Sequence, residues 1–276
     1  RIHMKTDKKA NIIMIKSNPF SINDADNEQH FDSYFVEPEI YSSLIKKKSH
    51  IIYGKKGTGK SACRKIIEYH CDEKIIPDVF RISVTRTDFY DYSNTLSAEN
   101  SLIDYNEHLK IVNAIFISRF EECSIKSDVA IDDRDYYRPN ILMKNKIIPA
   151  LKERGIESVF ILIDIGINPY DIEDNIKKLV RYIYELVKVL EIFEFIFKIF
   201  LPLELEERIK NNSKLLSIEA LYLHWDNMNK RAFFKDIIKN RFLFSSTFEN
   251  TTFPIAGFED ASGGRLDSRV ESLVIE

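Results

Sequence analysis

Residues 54–61 read Gly-Lys-Lys-Gly-Thr-Gly-Lys-Ser, and no other stretch constrains the fold as tightly. They satisfy the spacing G-x-x-x-x-G-K-[ST] at every fixed position. Glycines at these positions let the backbone curl, so that successive N–H groups turn inward on one point where a phosphate is the natural acceptor. Ser49-His50-Ile51-Ile52-Tyr53 reads as a short strand leading in, and Ala62 to Tyr69 reads as a helix leading out. Strand, glycine loop and helix together aim a helix N-terminus at an anion. The phosphate-binding set is therefore Gly54, Lys55, Lys56, Gly57, Thr58, Gly59, Lys60, Ser61 and Ala62. Lys60 would reach the β- and γ-phosphates of a nucleotide as a point charge, and the Ser61 hydroxyl would ligate Mg²⁺. A glycine-rich turn that merely sits beside lysines is the plainer alternative. Motif and context together outweigh it.

With 276 residues, the chain has room for one large α/β domain, or one domain and a small appendage. Hydrophobic residues make up 44% of it, enough for a substantial core. A formal net charge of −3 argues against a mainly electrostatic nucleic-acid binder, although a local basic patch stays compatible with it. Cys63, Cys71 and Cys123 are odd in number and form no C-x-x-C pair, which fits reduced thiols better than a disulfide framework or a zinc site. The longest apolar stretch, Leu179 to Leu203, is broken by Arg181, Glu185, Lys188, Glu191, Glu194 and Lys198. Charges at that spacing exclude a membrane span, and with no signal peptide visible the expectation is a soluble, cytoplasmic protein.

Three regions follow from the text. Residues 1–29 read as a polar arm, with a cloning remnant before Met4. Residues 30–245 carry the elements of one nucleotide-binding domain. Residues 246–276 form an extension that shifts to glycine and arginine, with Gly257, Gly263, Gly264, Arg265 and Arg269. A truncated lid, a disordered tail and foreign sequence all remain open for it.

Within the middle region, Val79 to Thr85 alternates and is β-branched, so it predicts a strand. Leu102 to Glu122 and Ile141 to Lys152 carry helical periodicity. Val159-Phe160-Ile161-Leu162-Ile163-Asp164 is a continuous apolar run ending in a carboxylate, the pattern of a strand covered by helices on both faces. Ile172, Ile176, Leu179, Ile183, Val187 and Leu190 recur at helical spacing. Phe193 to Leu201 predicts another apolar strand, stopped by Pro202, and Leu221 to Trp225 a shorter one before a helix over Asn229 to Phe242. Strands alternating with helices imply an α/β fold with a doubly wound, mostly parallel sheet and helices on both faces.

A phosphate-binding loop needs a partner that holds Mg²⁺ through a water, and often a base that activates the attacking water. Asp164, at the carboxyl end of its apolar strand, is the candidate for that metal role and, with Lys60, for the catalytic centre. Phe-Val-Glu-Pro at 35–38 leading into the glycine loop, Lys198-Ile199-Phe200-Leu201, Glu204 to Arg208, and Leu223-His224-Trp225-Asp226 also form a pattern. On these residues the chain resembles bacterial P-loop ATPases of the STAND and origin-recognition-like AAA groups, the additional-strand division of P-loop NTPases. The resemblance implies ATP as ligand, Mg²⁺ as cofactor, self-association, and a regulatory or defence role coupled to a separate effector or partner protein. It also implies that Tyr34 and Phe35, upstream of the loop strand, flank adenine, against a plain core reading of equal weight.

The pattern departs from that family at two places. Ile167 and Asn168 stand where an acid cluster is expected after Asp164, and Pro202 falls at a sensor position that usually carries a polar side chain. Asn cannot take a proton from water as Glu does, and loss of a positioned base typically costs ~10²–10⁴-fold in rate. Asp88, just past the Val79–Thr85 strand, is the candidate replacement base, with Asp171 and Glu173 as other options. Each of these three is also a plain solvated surface acid. Arg231 and Arg241 are candidate arginine fingers across a subunit interface, or ordinary helix-surface residues. The sequence expectation is thus an ATPase with a degenerate base position, acting as an oligomeric switch or motor component. A nucleotide-stabilised interaction scaffold and a small-molecule kinase are the alternatives.

Overall fold

The computed structural model describes residues 31–84, 114, 118–119, 139–166, 173–190, 193–210, 215–224, 235–238 and 240–241. It divides into two compact units, one formed by Arg1–Val36 with Trp225–Glu276 and the other by Glu37–His224. The second unit holds a sheet of five strands, β1 (His50–Gly54), β2 (Val79–Val84), β3 (Ser158–Asp164), β4 (Ile196–Pro202) and β5 (Glu219–Leu223). Their order across the sheet is β2-β3-β4-β1-β5, and every neighbouring pair is parallel. The α/β expectation holds at that level.

The helices of this unit are α1 (Tyr41–Leu44), α2 (Lys60–Asp72), α3 (Ile148–Glu153), α4 (Glu173–Leu190) and α5 (Glu206–Lys210). A helical turn, Pro139–Leu142, and a π-type segment, Met143–Ile147, lead into α3. Pro149 explains the wide turn. It has no N–H to donate and its ring would clash with the carbonyl four residues back, so the helix loosens just before it.

Alternating strand residues sort onto two faces. Ile51, Tyr53, Ile82, Ile161, Ile163, Ile199 and Leu201 pack in one cluster with Leu151 of α3 and with Ile176, Leu179, Ile183 and Val187 of α4. Those four α4 residues are among the six its periodicity predicts; Tyr182 and Leu186 join them, while Lys177, Arg181 and Lys188 are exposed. The opposite face carries Ile52, Phe160, Leu162 and Phe200, and α2 covers it, turning Cys63, Ile66 and Ile67 inward. Helices on both faces explain why β3 reads as an unbroken apolar run and β4 as one broken only by Lys198.

Two strand ends differ from expectation for local reasons. β4 starts at Ile196 rather than Phe193, because Glu194 takes a left-handed φ of 58° that breaks the extended run. β5 is shifted towards the N-terminus, to Glu219–Leu223, because its pairing with β1 ends where Gly54 meets Leu223. The expected helix over Leu102 to Glu122 lies outside the described residues apart from Ala114, Ser118 and Arg119.

One charged side chain is built into the centre of the sheet. Lys198 of β4 is 0% exposed, and its ammonium donates to the carbonyls of Lys46 (2.8 Å) and Lys48 (2.7 Å) and to His50 Nδ1 (2.9 Å). It also lies 5.1 Å from the centre of the Phe160 ring. The Lys46–Lys48 run is thus the turn between α1 and β1, tied down by its backbone. Lys47 and Lys48 pair with Glu157 and Glu219 at its surface.

Burial pulls the Lys198 amine down from 10.5 to about 7, with Cys71 and Glu219 pulling weakly the other way. Burial first, and Lys198 second, holds His50 down at about 4, so the ring is a neutral acceptor at pH 7. Replacing Lys198 by Met should cost about 2 kcal/mol, since two part-buried carbonyls lose their donor at the lower end of about 1–3 kcal/mol each. The pH dependence has a definite sign. A lysine whose folded pKa lies below its unfolded one binds fewer protons when folded, so stability rises with pH between about 7 and 10.5. Denaturant titrations at pH 7.5 and 9.5 should show wild type gaining stability relative to Lys198→Met; equal slopes would refute the assignment.

Candidate functional site

In a wholly parallel sheet all carboxyl ends share one edge, and the glycine loop leaves from it. Gly54 closes β1 in register with Pro202 of β4 and Leu223 of β5. A Cβ on Gly54 would fall 2.4 Å from Thr58 Oγ1 and 3.1 Å from the Leu223 carbonyl, so the loop folds back over a residue that must have no side chain. Thr58 is buried, and its hydroxyl donates to the Lys55 carbonyl at 2.8 Å, which closes the turn. Gly59 then takes φ 91°, ψ 23°, a conformation that glycine adopts at little cost, and α2 begins at Lys60. Gly59 offers no side-chain cap, so the first-turn amides of this thirteen-residue helix are left to an acceptor from elsewhere.

Lys60 is half-buried. Its ammonium donates to the Gly54 carbonyl at 2.8 Å and the Lys55 carbonyl at 3.0 Å, lying back across the loop. Desolvation lowers its pKa, while Asp164 and Glu204 pull it upward. Ser61 and Ala62 are half-buried in the first turn of α2, whereas Lys55, Lys56 and Gly57 are exposed on the loop.

Asp164 ends β3 on the face that α2 covers, in register with Phe200 of β4. β4 separates β3 from β1, so Asp164 lies two inter-strand spacings from the loop strand, about 9.5 Å. Its carboxylate is only 7% exposed and accepts from Arg64 Nε at 3.3 Å. Arg64 projects from α2 one turn beyond Lys60 and also donates to Glu68 Oε1 at 2.5 Å. Glu68 in turn accepts from the Ser83 hydroxyl of β2, and Asp72 holds Arg81 at 2.6 Å and Arg119 at 2.7 Å.

The structure therefore brings Lys60, Ser61 and Asp164 to the same edge and face of the sheet. Asp88, Asp171, Ile167, Asn168 and Arg231 lie outside the described residues. Glu173 opens α4. Tyr34 and Phe35 belong to the other unit, where Phe31 meets the Tyr34 ring edge-on at 5.7 Å and the Phe35 ring at 5.3 Å. Arg241 lies in that unit too, its guanidinium 5.2 Å from the centre of the Tyr34 ring.

Sequence reasoning missed two participants. Glu204 follows the end of β4, in a 3₁₀ turn over Leu203–Leu205, and its charge acts on Lys60. Arg64 was read only as part of a helix, although its spacing of four from Lys60 was a signal that both lie on one helical face.

The donor set suits a small hard cation. A hydroxyl and a carboxylate near a glycine loop are oxygen ligands, and Mg²⁺ takes one or two protein groups with phosphates and waters rather than a full protein cage. No group of three or more His, Cys, Asp or Glu side chains able to hold a metal occurs among the described residues. No helix among them is long and apolar enough to cross a membrane. No protein-family model matches the chain, and no curated protein matches it.

The glycine geometry is directly testable. Gly54→Ala should lower the melting temperature by several degrees, because its Cβ collides with Thr58 Oγ1. Adding Thr58→Ala removes the colliding atom and should recover part of the loss. A double variant no more stable than Gly54→Ala alone would count against the close approach of loop and strand.

Proposed function

We propose that this chain is a P-loop ATPase domain of the additional-strand type that binds ATP·Mg²⁺ and works as an oligomeric switch or motor component with a separate partner protein. One observation carries the reading. A glycine loop whose backbone requires its glycines joins the interior strand β1 to α2, and a carboxylate stands on the same sheet face two strands away, with β4 inserted between. Loop amides and Lys60 would bind the β- and γ-phosphates, with Lys60 exchanging its contacts to the Gly54 and Lys55 carbonyls for phosphate oxygens. Ser61 and Asp164 would hold Mg²⁺, which when bound neutralises charge on the phosphates. Burial lowers the pKa of the Lys60 amine, and Asp164 and Glu204 oppose that shift.

A second reading, a nucleotide-stabilised scaffold with little turnover, is favoured by two specific features. Ile167 and Asn168 replace the acids expected after Asp164, and Asp164 itself is engaged by Arg64. Asp88 is the base proposed for the ATPase reading.

ATP binding and steady-state hydrolysis, measured on one preparation, separate the two. Lys60→Ala should abolish binding. Asp88→Asn should leave binding intact and slow turnover by ~10²–10⁴-fold if Asp88 is the base. Tight binding without turnover at any protein concentration would exclude the motor reading and leave the scaffold. No binding of ATP by wild type would overturn both.

A further inference from the structure

The lower face of α2 carries Lys60, Arg64, Glu68 and Asp72 at a spacing of four, two cations followed by two anions. Each partner on the sheet is a β-strand side chain of the same face: Asp164 for Arg64, Ser83 for Glu68, Arg81 for Asp72. Arg64 is the one member that joins the glycine-loop end of this ladder to its middle. Its guanidinium is shared unequally. The contact with Asp164 is a single long one, Nε to Oδ2 at 3.3 Å, whereas the contact with Glu68 through Nη1 is 2.5 Å.

We infer that Arg64 is an exchangeable counter-ion for Asp164, a positioning residue that sets how strongly the site takes its divalent cation. The inference rests on the nucleotide-binding reading above. An Asp164 side chain that is 7% exposed needs a positive partner, since an unpaired buried charge is strongly unfavourable. Without metal, Arg64 supplies that partner. When a divalent cation reaches Asp164, one positive charge replaces another, and the guanidinium keeps its shorter bond to Glu68. The helix that carries Lys60 and Ser61 also carries Arg64, so phosphate and metal capture at its N-terminus and release of Asp164 occur on one rigid element. Metal binding is therefore linked to loss of the Arg64–Asp164 contact, and the linkage has a sign that substitution on either side of the guanidinium should reveal.

Two variants of nearly unchanged volume should move the metal dependence in opposite directions. Arg64→Met removes the competitor at Asp164. Glu68→Gln weakens the alternative partner and leaves the guanidinium more firmly on Asp164. The affinity for a fluorescent ATP analogue is measured for each protein in EDTA and in excess Mg²⁺, and the ratio of the two dissociation constants reports what the metal adds. Arg64→Met should enlarge that ratio on the order of tenfold, within the usual range of coupling between two sites, and Glu68→Gln should shrink it. Without metal, Arg64→Met should also melt lower than wild type, and Mg²⁺ with the analogue should restore more stability to it than to wild type.

Ratios that stay equal to wild type in both variants, or that shift the same way, overturn the counter-ion role while nucleotide binding in EDTA stands. Failure of wild type to bind the analogue in either buffer overturns the nucleotide reading itself, and this inference with it. If Arg64→Met does not fold, Glu68→Gln still decides: a ratio no smaller than wild type refutes the proposal.

Discussion

All five strands run the same way, and most of what is notable about this unit follows from that direction. Parallel strands need long crossovers, and the crossovers place α2 on one face and α3 with α4 on the other. Over β1, β3 and β4 both faces are then covered, so their residues are mostly apolar on either side and the carboxyl ends become the edge where chemistry has room. Gly54, Asp164 and Pro202 close three neighbouring strands at that edge. The order β3-β4-β1 sets the distance between Asp164 and the glycine loop: with β4 between them, α2 is broad enough to bridge the gap and put Arg64 against the carboxylate. In this arrangement site geometry is a consequence of sheet order rather than of loop shape alone.

The opposite edge answers a different need. Lys198 and His50 are register partners near the amino ends of β4 and β1. A lysine in a central strand is costly to desolvate, and here the cost is offset by two carbonyls, an imidazole nitrogen and an aromatic face. What those bonds fasten is the turn before β1. That turn has little apolar surface of its own to bury, yet it sets where β1 begins and hence where the glycine loop ends. One fully buried ammonium thus does at the base of the sheet what Thr58 does within the loop: it satisfies carbonyls that the backbone cannot satisfy by pairing.

The strands were legible because burial on both faces leaves a signature that needs no partner to interpret. Val159 to Ile163 and Phe197 to Leu201 are apolar almost without interruption, and α4 announces itself by period. The glycine loop was legible because each fixed residue answers a local backbone demand. Lys198 and Arg64 were not, and for the same reason. Their roles depend on residues some hundred or more positions away, Asp164 for Arg64 and Lys46 to His50 for Lys198. Within its own strand Lys198 reads as an interruption, and within its own helix Arg64 reads as one more solvated charge. The π-type turn before Pro149 lies between these cases: the proline was visible, and its missing donor alone implies a local widening.

The two cations that α2 presents towards the glycine-loop end differ in what they hold. Lys60 rests on neutral carbonyls of the loop, which a phosphate can replace with a gain in charge pairing. Arg64 rests on a carboxylate, which only another cation can replace without leaving a buried charge exposed to nothing. On the proposed reading, a triphosphate arriving with a divalent metal would satisfy both exchanges together, whereas either one alone would satisfy only half. Such a site would favour the metal-bound nucleotide over its parts without needing a dedicated metal cage. It would also make occupancy felt along α2, since the charge that Arg64 releases at Asp164 is taken up at Glu68 and passed to the β2 side chains that share it. On the proposed reading, a chain whose base position lacks the expected acids would still change state on binding, because the rearranged contact lies in the helix rather than in the bond to be broken.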